Sequence, residues 1–597
     1  MGNATCYAGK ILRVDLSRGT VVAEPLREEW ARDFIGGKGL GFRYLCEELA
    51  AGTDPLSPAN VVAIFTGPLA GTIVATTART VVCTRSPATG AILDSYVGGG
   101  FGAVLKYAGW DGILITGQAE RPVYLSIQDG RAELRDAAPL WGRSIWDTEN
   151  WLEEREGPGR VVTLTAGPAG ENGVLFACLT SEAYRQAGRG GPGAVFGQKK
   201  LKAIAVRGSG AVRVPDMASF LATYKEIFHD HLLTDANLWA YSDGTPSVVD
   251  KTHRAGLLPT RGFTQGEFDG KDGINGSAVQ AALVRRRACT NCPLACGRFT
   301  RSQTGEVVEG PEYETIALGG SNCGIGDLSA LISYNRLCDD LGLDTISTGN
   351  VIGLAMTMTE EGIHDFGLRY GDAEGYLRTV QDIAYRRGSG DELAHGARWL
   401  ARRYGGEGVA LETKGLEYPG YDPRGAFGMG LAYSTSDRGA CHMRSFVVGV
   451  EALDGNFDPD SLVGKAALVI SDQNLNSAKW SGIFCDFWAI SPQQMATLFS
   501  AAIGRSYSAE EILRIGERIW NLGRLFNLRE GFGRADDLPP RALFERPLRN
   551  GVAAGRTYTR EAFDAALDDY YALRGWDHEG APTPEKLASL GLGRLPR

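Results

Sequence analysis

The 597-residue chain is poor in histidine, with only His229, His231, His253, His364, His395, His442 and His578. It carries no long run of like charge, and its formal net charge is −9. A nucleic-acid surface needs a basic stripe, so nucleic acid is excluded as the main partner. A local basic patch for an acidic carrier is not excluded. No secretory signal is read at the start: Lys10, Arg13, Asp15 and Arg18 leave no apolar stretch between them. No segment has the length and apolarity of a membrane span. The least charged stretch, residues 60–82, is interrupted by Gly67, Pro68 and Gly71 and reads as buried strand and turn. Eleven cysteines are too few for a disulfide scaffold in a chain of this length. A cytoplasmic, reducing setting is expected, where clustered cysteines signal metal or chemistry. There is no fixed-period repeat, no low-complexity tract, no Walker A loop and no strand–GxGxxG–helix fingerprint. An ATPase and a dinucleotide-binding enzyme are thereby disfavoured.

What the chain does have is glycine, 80 residues of 597, nearly twice the usual share of ~7%. The hydrophobic fraction of 43% and charged fraction of 22% are those of a globular protein. At roughly 150 residues per domain, two to four domains are expected. Up to about Val212 the sequence is rich in short β-branched runs bounded by Gly, Pro, Asp or Ser. These are Lys10–Asp15, Val61–Thr66, Thr80–Thr84, Gly112–Thr116, Val123–Ile127, Val161–Ala166 and Ala203–Arg207. Helices are expected there at Glu28–Phe34 and Phe101–Tyr107. Beyond Val212 apolar residues recur at helical spacing, among other places over Ala218–Leu233, Val279–Arg287, Leu328–Leu341, Asn350–Glu361 and Tyr376–Arg387. The same spacing recurs over Glu392–Tyr404, Asp460–Ser471, Pro492–Leu498, Ala509–Phe526 and Arg560–Leu573. The fold class is therefore α+β: a β-rich domain over 1–212 followed by two mostly helical domains, 213–420 and 421–597. The Pro/Gly turn cluster Tyr418–Arg424 supplies the second boundary.

The sharpest signal is Cys289-Thr-Asn-Cys292-Pro-Leu-Ala-Cys296. Three thiolates so close can hold part of an iron–sulfur cluster, with one distant cysteine as the fourth ligand. Structural zinc favours two CxxC pairs or added histidine, and neither is present. The distant ligand could be Cys323, Cys338, Cys441 or Cys485, and spacing does not choose among them. Cys6, Cys46, Cys83 and Cys178 read as small buried hydrophobes. Three glycine-dense segments, residues 36–41, 98–102 and 188–193, could cradle phosphates through backbone N–H groups, aided by Arg185 and Arg189. Each alone also reads as tight turns. In Cys338-Asp-Asp-Leu-Gly-Leu-Asp-Thr, Asp339 and Asp344 flank Gly342. They could accept hydrogen bonds from a cofactor, or could simply mark a helix end and a cap. Glu309-Gly-Pro-Glu-Tyr-Glu314 crowds three carboxylates, which can raise one into the range of a general base. His442 lies in the polar stretch Tyr433–Arg444, a loop setting suited to chemistry.

In order and combination, further segments resemble the tungsten-containing aldehyde:ferredoxin oxidoreductase family, over nearly the whole chain. They include Gly67-Pro-Leu-Ala-Gly-Thr72, Gly102-Ala-Val-Leu-Lys-Tyr-Ala-Gly-Trp-Asp111 and Ala166-Gly-Pro-Ala-Gly-Glu-Asn172. Ala187-Gly-Arg-Gly-Gly-Pro-Gly-Ala-Val195, Leu341-Gly-Leu-Asp-Thr-Ile-Ser-Thr-Gly349, Tyr421-Asp-Pro-Arg-Gly425 and Gly516-Glu-Arg-Ile-Trp-Asn521 continue the series. The resemblance implies a tungsten or molybdenum ion held by two pterins on a β-rich base, beside a 4Fe–4S cluster, with magnesium a candidate at the pterin phosphates. It implies that Cys289, Cys292, Cys296 and Cys485 ligate the cluster, and that Arg79 lies between pterin and cluster. It assigns Asp339, Gly342, Leu343 and Asp344 to the first pterin turn. Gly98, Arg185, Gly188, Arg189 and Gly190 fall at or near the phosphates, and Glu314 and His442 form an acid–base pair.

Departures accompany the resemblance. The family's second pterin turn reads DxxGLC, where this chain has Trp480-Ser-Gly-Ile-Phe-Cys485. Tyr96 stands for an Asn near the phosphates, and Arg444 for a Lys after the active-site His. Some members hold a single iron between subunits through an ExxH pair, where this chain has Ser333 and Arg336. The implied reaction is oxidation of aldehydes to carboxylic acids, with Glu314 as base and His442 polarising the carbonyl. Electrons would leave to ferredoxin or an iron–sulfur subunit, in a homodimer or hetero-oligomer. Reduction of an aromatic thioester or of a carboxylic acid on the same scaffold is one alternative, and a zinc-stapled binding protein without catalysis is another.

Overall fold

The computed structural model describes residues 5–157 and 160–593. The N-terminal region is built on two six-stranded mixed sheets. The first takes β1 (Lys10–Asp15), β2 (Thr20–Pro25), β3 (Val62–Phe65), β4 (Thr80–Arg85), β5 (Ile92–Val97) and β6 (Gly112–Thr116) in the order β2-β1-β6-β3-β4-β5. The second takes β7 (Val123–Gln128), β8 (Arg131–Asp136), β9 (Val162–Ala166), β10 (Leu179–Ser181), β11 (Arg185–Ala187) and β12 (Leu201–Arg207) in the order β11-β10-β9-β12-β7-β8. Each sheet has one parallel pair, β1 with β6 and β7 with β12.

The residue pattern sets which strands are central. β3 reads Val-Ala-Ile-Phe and β9 Val-Thr-Leu-Thr-Ala, buried at every position, as strands covered on both faces are. The edge strands β2 and β8 carry exposed polar residues. Alternation then assigns the faces. Leu12, Val14, Val62, Ile64, Ile113 and Ile115 share one core with Leu125, Ile127, Leu164, Ile204 and Val206 of the second sheet. The intervening Ile11, Ala63, Phe65 and Leu114 face a second core with the helices Gly37–Glu48 and Ala509–Arg529. A third core, helical, runs from Val249 to Trp576.

Every strand expected from the sequence forms, as do the helices Glu28–Phe34 and Phe101–Tyr107. Two expectations are corrected. Val279–Arg287 is not one helix: the helix is Gly276–Ala281, and β13 (Leu283–Arg287) follows, paired with β14 (Gly297–Arg301) and through it with β15 (Val307–Glu309). Strand pairing wins there because Arg285 can lay its guanidinium over Phe299, 4.1 Å away. Glu392–Tyr404 divides into Ser389–Leu393 and Ala397–Tyr404 around Gly396, whose φ is 84°. The cysteine triplet occupies the connection between β13 and β14.

The glycines of residues 36–41 form a packing helix and not a phosphate loop. A Cβ at Gly36 would lie 2.9 Å from the Ser481 carbonyl, and one at Gly37, Gly39 or Gly41 would press on Trp480, Phe34 or Cys83. Residues 188–193 are different. Gly190 and Gly191 take φ of 87° and 84°, and Gly191 opens the helix Pro192–Gln198. A Cβ at Gly191 would collide with the Leu175 carbonyl. Gly191→Ala is therefore expected to cost about 2 kcal/mol or more, read as a lower midpoint in chemical denaturation. Gly408→Ala, with open space at the would-be Cβ, should leave the midpoint near wild type.

Candidate functional site

The β13–β14 hairpin presents Cys289, Cys292 and Cys296 on a nine-residue loop, residues 288–296, that places Asn291 and Ala295 at positive φ. Cys485 comes from the far end of the chain, just after the helix Lys465–Ser481. It lies within electrostatic range of Cys292 and Cys296, whose thiols it helps to raise. The other candidates lie elsewhere. Cys323 bonds to the Leu318 and Gly349 carbonyls, Cys338 neighbours Asp339, and Cys441 neighbours Arg438. Burial, then the neighbouring thiols Cys485 and Cys289, push Cys292 up to about 11. Thiols in this state become ligands by giving up protons to a metal.

Donors surround these sulfurs. Arg79 Nη2 lies 3.1 Å from Cys485 Sγ, and the Gly99 N–H donates to Cys289 Sγ at 3.2 Å. Gly98 packs on the same sulfur, where a Cβ would sit 3.1 Å from Cys289 Sγ. The second glycine segment thus serves the thiols. Burial lowers the affinity of Arg185 for its proton, but the charges of Cys289, Glu309 and Cys296 raise it, and the net is upward. Among the described residues no group of three or more His, Cys, Asp or Glu is disposed to hold a metal ion directly.

Asp486, next in sequence, was not singled out by sequence reasoning. It accepts from Arg79 Nη1 and Trp480 Nε1, both at 2.8 Å. Burial raises its pKa, but Lys479 and Arg79 bring the net below the usual carboxylate value. Trp480 occupies the position of the family's leading Asp. The backbone there keeps a left-handed residue, now Ile483 at φ 63°, a strained choice for a β-branched side chain. Trp480 stacks under Arg444, 4.5 Å from its ring centroid. Arg444 and Lys38 are fully buried and bind Asp94 and Asp437 together; Arg444 Nε to Asp437 is 3.0 Å. Tyr96 donates to Asp94 at 2.6 Å. Only Arg444 and Tyr96 of this network had a signal in the sequence.

At the first acidic turn, the helix-end reading describes the geometry. Gly342, at φ 78°, ends the helix Leu328–Leu341, and Asp344 caps Thr345–Glu360 through the N–H groups of Ile346 and Ser347. Leu343 is buried. Asp339 accepts from Gln186 and, at 2.8 Å, from Asn335. Its pKa is pushed well up, first by burial and then by Glu309. Gly188 lies against the Asp344 carboxylate. Arg189 spans from there to the catalytic-candidate loop, donating to the carbonyls of Ala440 at 2.7 Å and Glu417 at 2.5 Å.

Glu314 and His442 are brought together across the sequence, Oε1 to Nδ1 at 3.5 Å. Glu314 Oε2 accepts the Gly420 N–H at 2.8 Å. Oε1 and Nδ1 have no hydrogen-bond partner. Burial raises Glu314 to about 8. Burial, with Arg189 and Arg438, lowers His442 to about 3. The pair is therefore neutral near pH 7. Tyr421 and Phe446 flank the imidazole at 5.5 and 6.1 Å. Cys441 is unlike the other cysteines: burial raises it, but Arg438, Arg444 and Arg189 bring the net down toward thiolate.

Four arginines near these features carry buried guanidinium atoms without hydrogen bonds: Arg185 Nε and Nη2, Arg189 Nε, Arg438 Nε and Arg444 Nη1. Arg185 Nη2 still makes an ionic contact with Glu309, and Arg189 Nε one with Asp344 at 3.6 Å. An unpaired buried N–H on a charged group is costly. Such a set suits an anionic, phosphate-bearing ligand that arginine forks recognise, so the residues present fit a phosphorylated cofactor.

Comparison with known proteins identifies relatives of this chain. The family model for the aldehyde ferredoxin oxidoreductase N-terminal domain matches residues 11–208, and that for domains 2 and 3 matches 221–592. The chain is 40% identical to the tungsten-containing aldehyde ferredoxin oxidoreductase of Pyrococcus furiosus, covering 98% of this chain and 99% of the relative. It is 39% identical to the protein of that name from Thermococcus kodakarensis, at the same coverage. An aliphatic sulfonate oxidoreductase, WOR-like subunit, of Pyrococcus furiosus is 29% identical over 99% of this chain and 98% of its own. In fold, the chain is similar to the active-site complex BamBC of benzoyl coenzyme A reductase, with TM-score 0.86 and 24% identity over 99% of this chain and 98% of that one. With both domain models matched, over residues 11–208 and 221–592, and two-fifths of its residues shared with full-length relatives, this chain belongs to the aldehyde ferredoxin oxidoreductase family.

Proposed function

We propose that this chain oxidises aldehydes to carboxylic acids at a pterin-held tungsten centre and passes the electrons through a 4Fe–4S cluster to a small carrier protein. The observation that carries the reading is the buried Glu314–His442 pair, whose facing atoms have no other partner. When bound, the tungsten–pterin group supplies two-electron chemistry and the cluster a one-electron exit. The chain's own residues do the rest. Cys289, Cys292, Cys296 and Cys485 hold the cluster, and Arg79 sits beside it. Arg185, Arg189, Arg438 and Arg444 answer the cofactor's negative charge, with Asp339 and Asp344 as acceptors for its N–H groups. The altered second turn is served by Trp480 and Asp486. A cytoplasmic setting belongs to this reading, supported by eleven free cysteines. Among the described residues no helix is long and apolar enough to cross a membrane.

The proton inventory follows from the geometry. Oxidising an aldehyde consumes one water and releases two electrons and two protons. Near neutrality the Glu314 proton resides on Oε1, because Oε2 is occupied by the Gly420 N–H. Oε1–H then faces His442 Nδ1, which leaves the proton of the neutral imidazole on Nε2, free to donate to a carbonyl oxygen. Once ionised, Glu314 can take a proton from the attacking water.

Glu314→Gln should lower kcat by about 10²–10⁴-fold while tungsten and iron per chain, read by elemental analysis, stay at wild-type levels. Full activity in that variant removes Glu314 from the role of base. Because the carboxyl is raised by burial, kcat/KM should climb with pH through about 8. His442, lowered to about 3, should add no limb between pH 5 and 9. In Asp486→Asn one negative charge beside the thiols is lost. The cluster's midpoint potential should rise by on the order of tens of millivolts, measured by EPR-monitored titration with iron content unchanged.

A further inference from the structure

The segment Glu309–Glu314 crowds three carboxylates in sequence, and the structure parts them. Glu314 faces His442, Glu312 accepts from Thr245 Oγ1, and Glu309 meets Arg185. The proposed acid–base chemistry uses Glu314 alone, which leaves Glu309 without a task. Glu309 is only 6% exposed, and a buried carboxylate is costly unless it is paired. Sheet register explains how the pairing arises. Strand β14 has Arg287 opposite Gly297 on one side and Glu309 opposite Phe299 on the other. Gly297 directly follows Cys296 and has no side chain to stand between its neighbours. A Cβ there would collide with both Glu309 Oε1 and Arg185 Nη2.

Glu309 fills that gap. Its Oε1 pairs with Arg185, its Oε2 accepts from Arg287 Nη1 at 3.1 Å, and its carbonyl accepts from Asn335 Nδ2 at 3.1 Å. Arg185 in turn packs with a thiol: a Cβ on Gly98 would lie 3.1 Å from Cys289 Sγ and 3.6 Å from Arg185 Cδ. The charges of Cys289, Glu309 and Cys296 all act on this guanidinium, against its burial. The arrangement repeats one at the fourth thiol. There Arg79 lies 3.1 Å from Cys485 Sγ through Nη2 and binds Asp486 at 2.8 Å through Nη1. In both places a guanidinium stands near a thiol and a carboxylate backs the guanidinium. Positive charge near a cluster favours the reduced state, which carries one more negative charge, and a carboxylate behind the cation opposes that.

We infer that Glu309 is a positioning residue for electron transfer: it holds Arg185 near the Cys289 and Cys296 thiols, and its charge keeps the reduction potential of the cluster low. The inference rests on the cluster ligation proposed above. One electron enters and one leaves at the thiol-ligated cluster in each pass, twice per aldehyde, and Glu309 exchanges no atom in either. Its part is electrostatic, set by where β15 places it.

The test uses the holoenzyme and the variants Glu309→Gln, Arg185→Gln, Arg185→Lys and the double variant Glu309→Gln with Arg185→Gln, each checked for iron and sulfide. The cluster's midpoint potential is read by EPR-monitored titration at one fixed pH. Glu309→Gln should shift it upward and Arg185→Gln downward. The double variant removes one charge of each sign and should fall between them, and Arg185→Lys should stay closer to wild type than Arg185→Gln. Loosening of the cysteine loop alone would move both single variants the same way. No shift in Glu309→Gln, or shifts of one sign in both single variants, overturn the assignment. Where a protein is purified without iron, the pair is read from the alkylation rate of Cys289, located by mass spectrometry, because the thiolate is the reactive form. Glu309→Gln should then react at least about threefold faster and Arg185→Gln at least about threefold slower than wild type; equal rates in all overturn the assignment. Absence of iron from the wild type itself sinks the proposed ligation and leaves the pairing to be judged by those rates.

Discussion

Buried arginine is the constraint from which the centre of this molecule follows. A guanidinium stays charged at any working pH and cannot be left without an anion in the interior. Arg189, Arg438 and Arg444 are all buried, and Arg185 nearly so. The chain answers part of their charge with Asp94, Asp437, Asp344 and Glu309. Several of their other N–H groups are left without a hydrogen bond. Burial first, and then the same positive field, keep His442 neutral, and the field draws Cys441 toward thiolate against its burial. The acid–base pair is therefore tuned by groups whose main business is to hold something else.

The two halves of the centre are held differently. The glycine loop at 188–191 and the turn at 342–344 meet edge to edge, with Gly188 against Asp344 and Arg189 bridging to the Ala440 carbonyl. The other half replaces acid and glycine with Trp480 and Ile483, and recovers a carboxylate from Asp486. Lys38, buried within the first glycine segment, completes the charge balance beneath Trp480. The departure in sequence thus has a compact physical counterpart, an aromatic ring over a buried four-charge network.

Much of this was legible in the sequence, for reasons specific to each residue. The short β-branched runs of β1, β3 and β6 read as strands, and a helix end was one of two readings of Gly342 with Asp344. The cysteine triplet could be read from spacing, but its fourth member could not, since contact between positions 289 and 485 is a property of the folded chain. Spacing misplaced β13, because three consecutive arginines carry no strand pattern until Phe299 is opposite them. Asp94, Asp437 and Asp486 were invisible: an isolated Asp looks alike in any loop, and only burial beside Lys38, Arg444 or Arg79 gives it meaning.

The thiols proposed to share the cluster belong to segments almost two hundred positions apart, one on a hairpin and one after the helix Lys465–Ser481. Between them runs most of the helical core. Under the ligation proposed here, inorganic sulfide and iron would act as a clasp joining the two ends of that core. Maturation and folding then become a single equilibrium, and a cell short of iron would accumulate an unclasped, protease-sensitive chain, not merely an inactive enzyme.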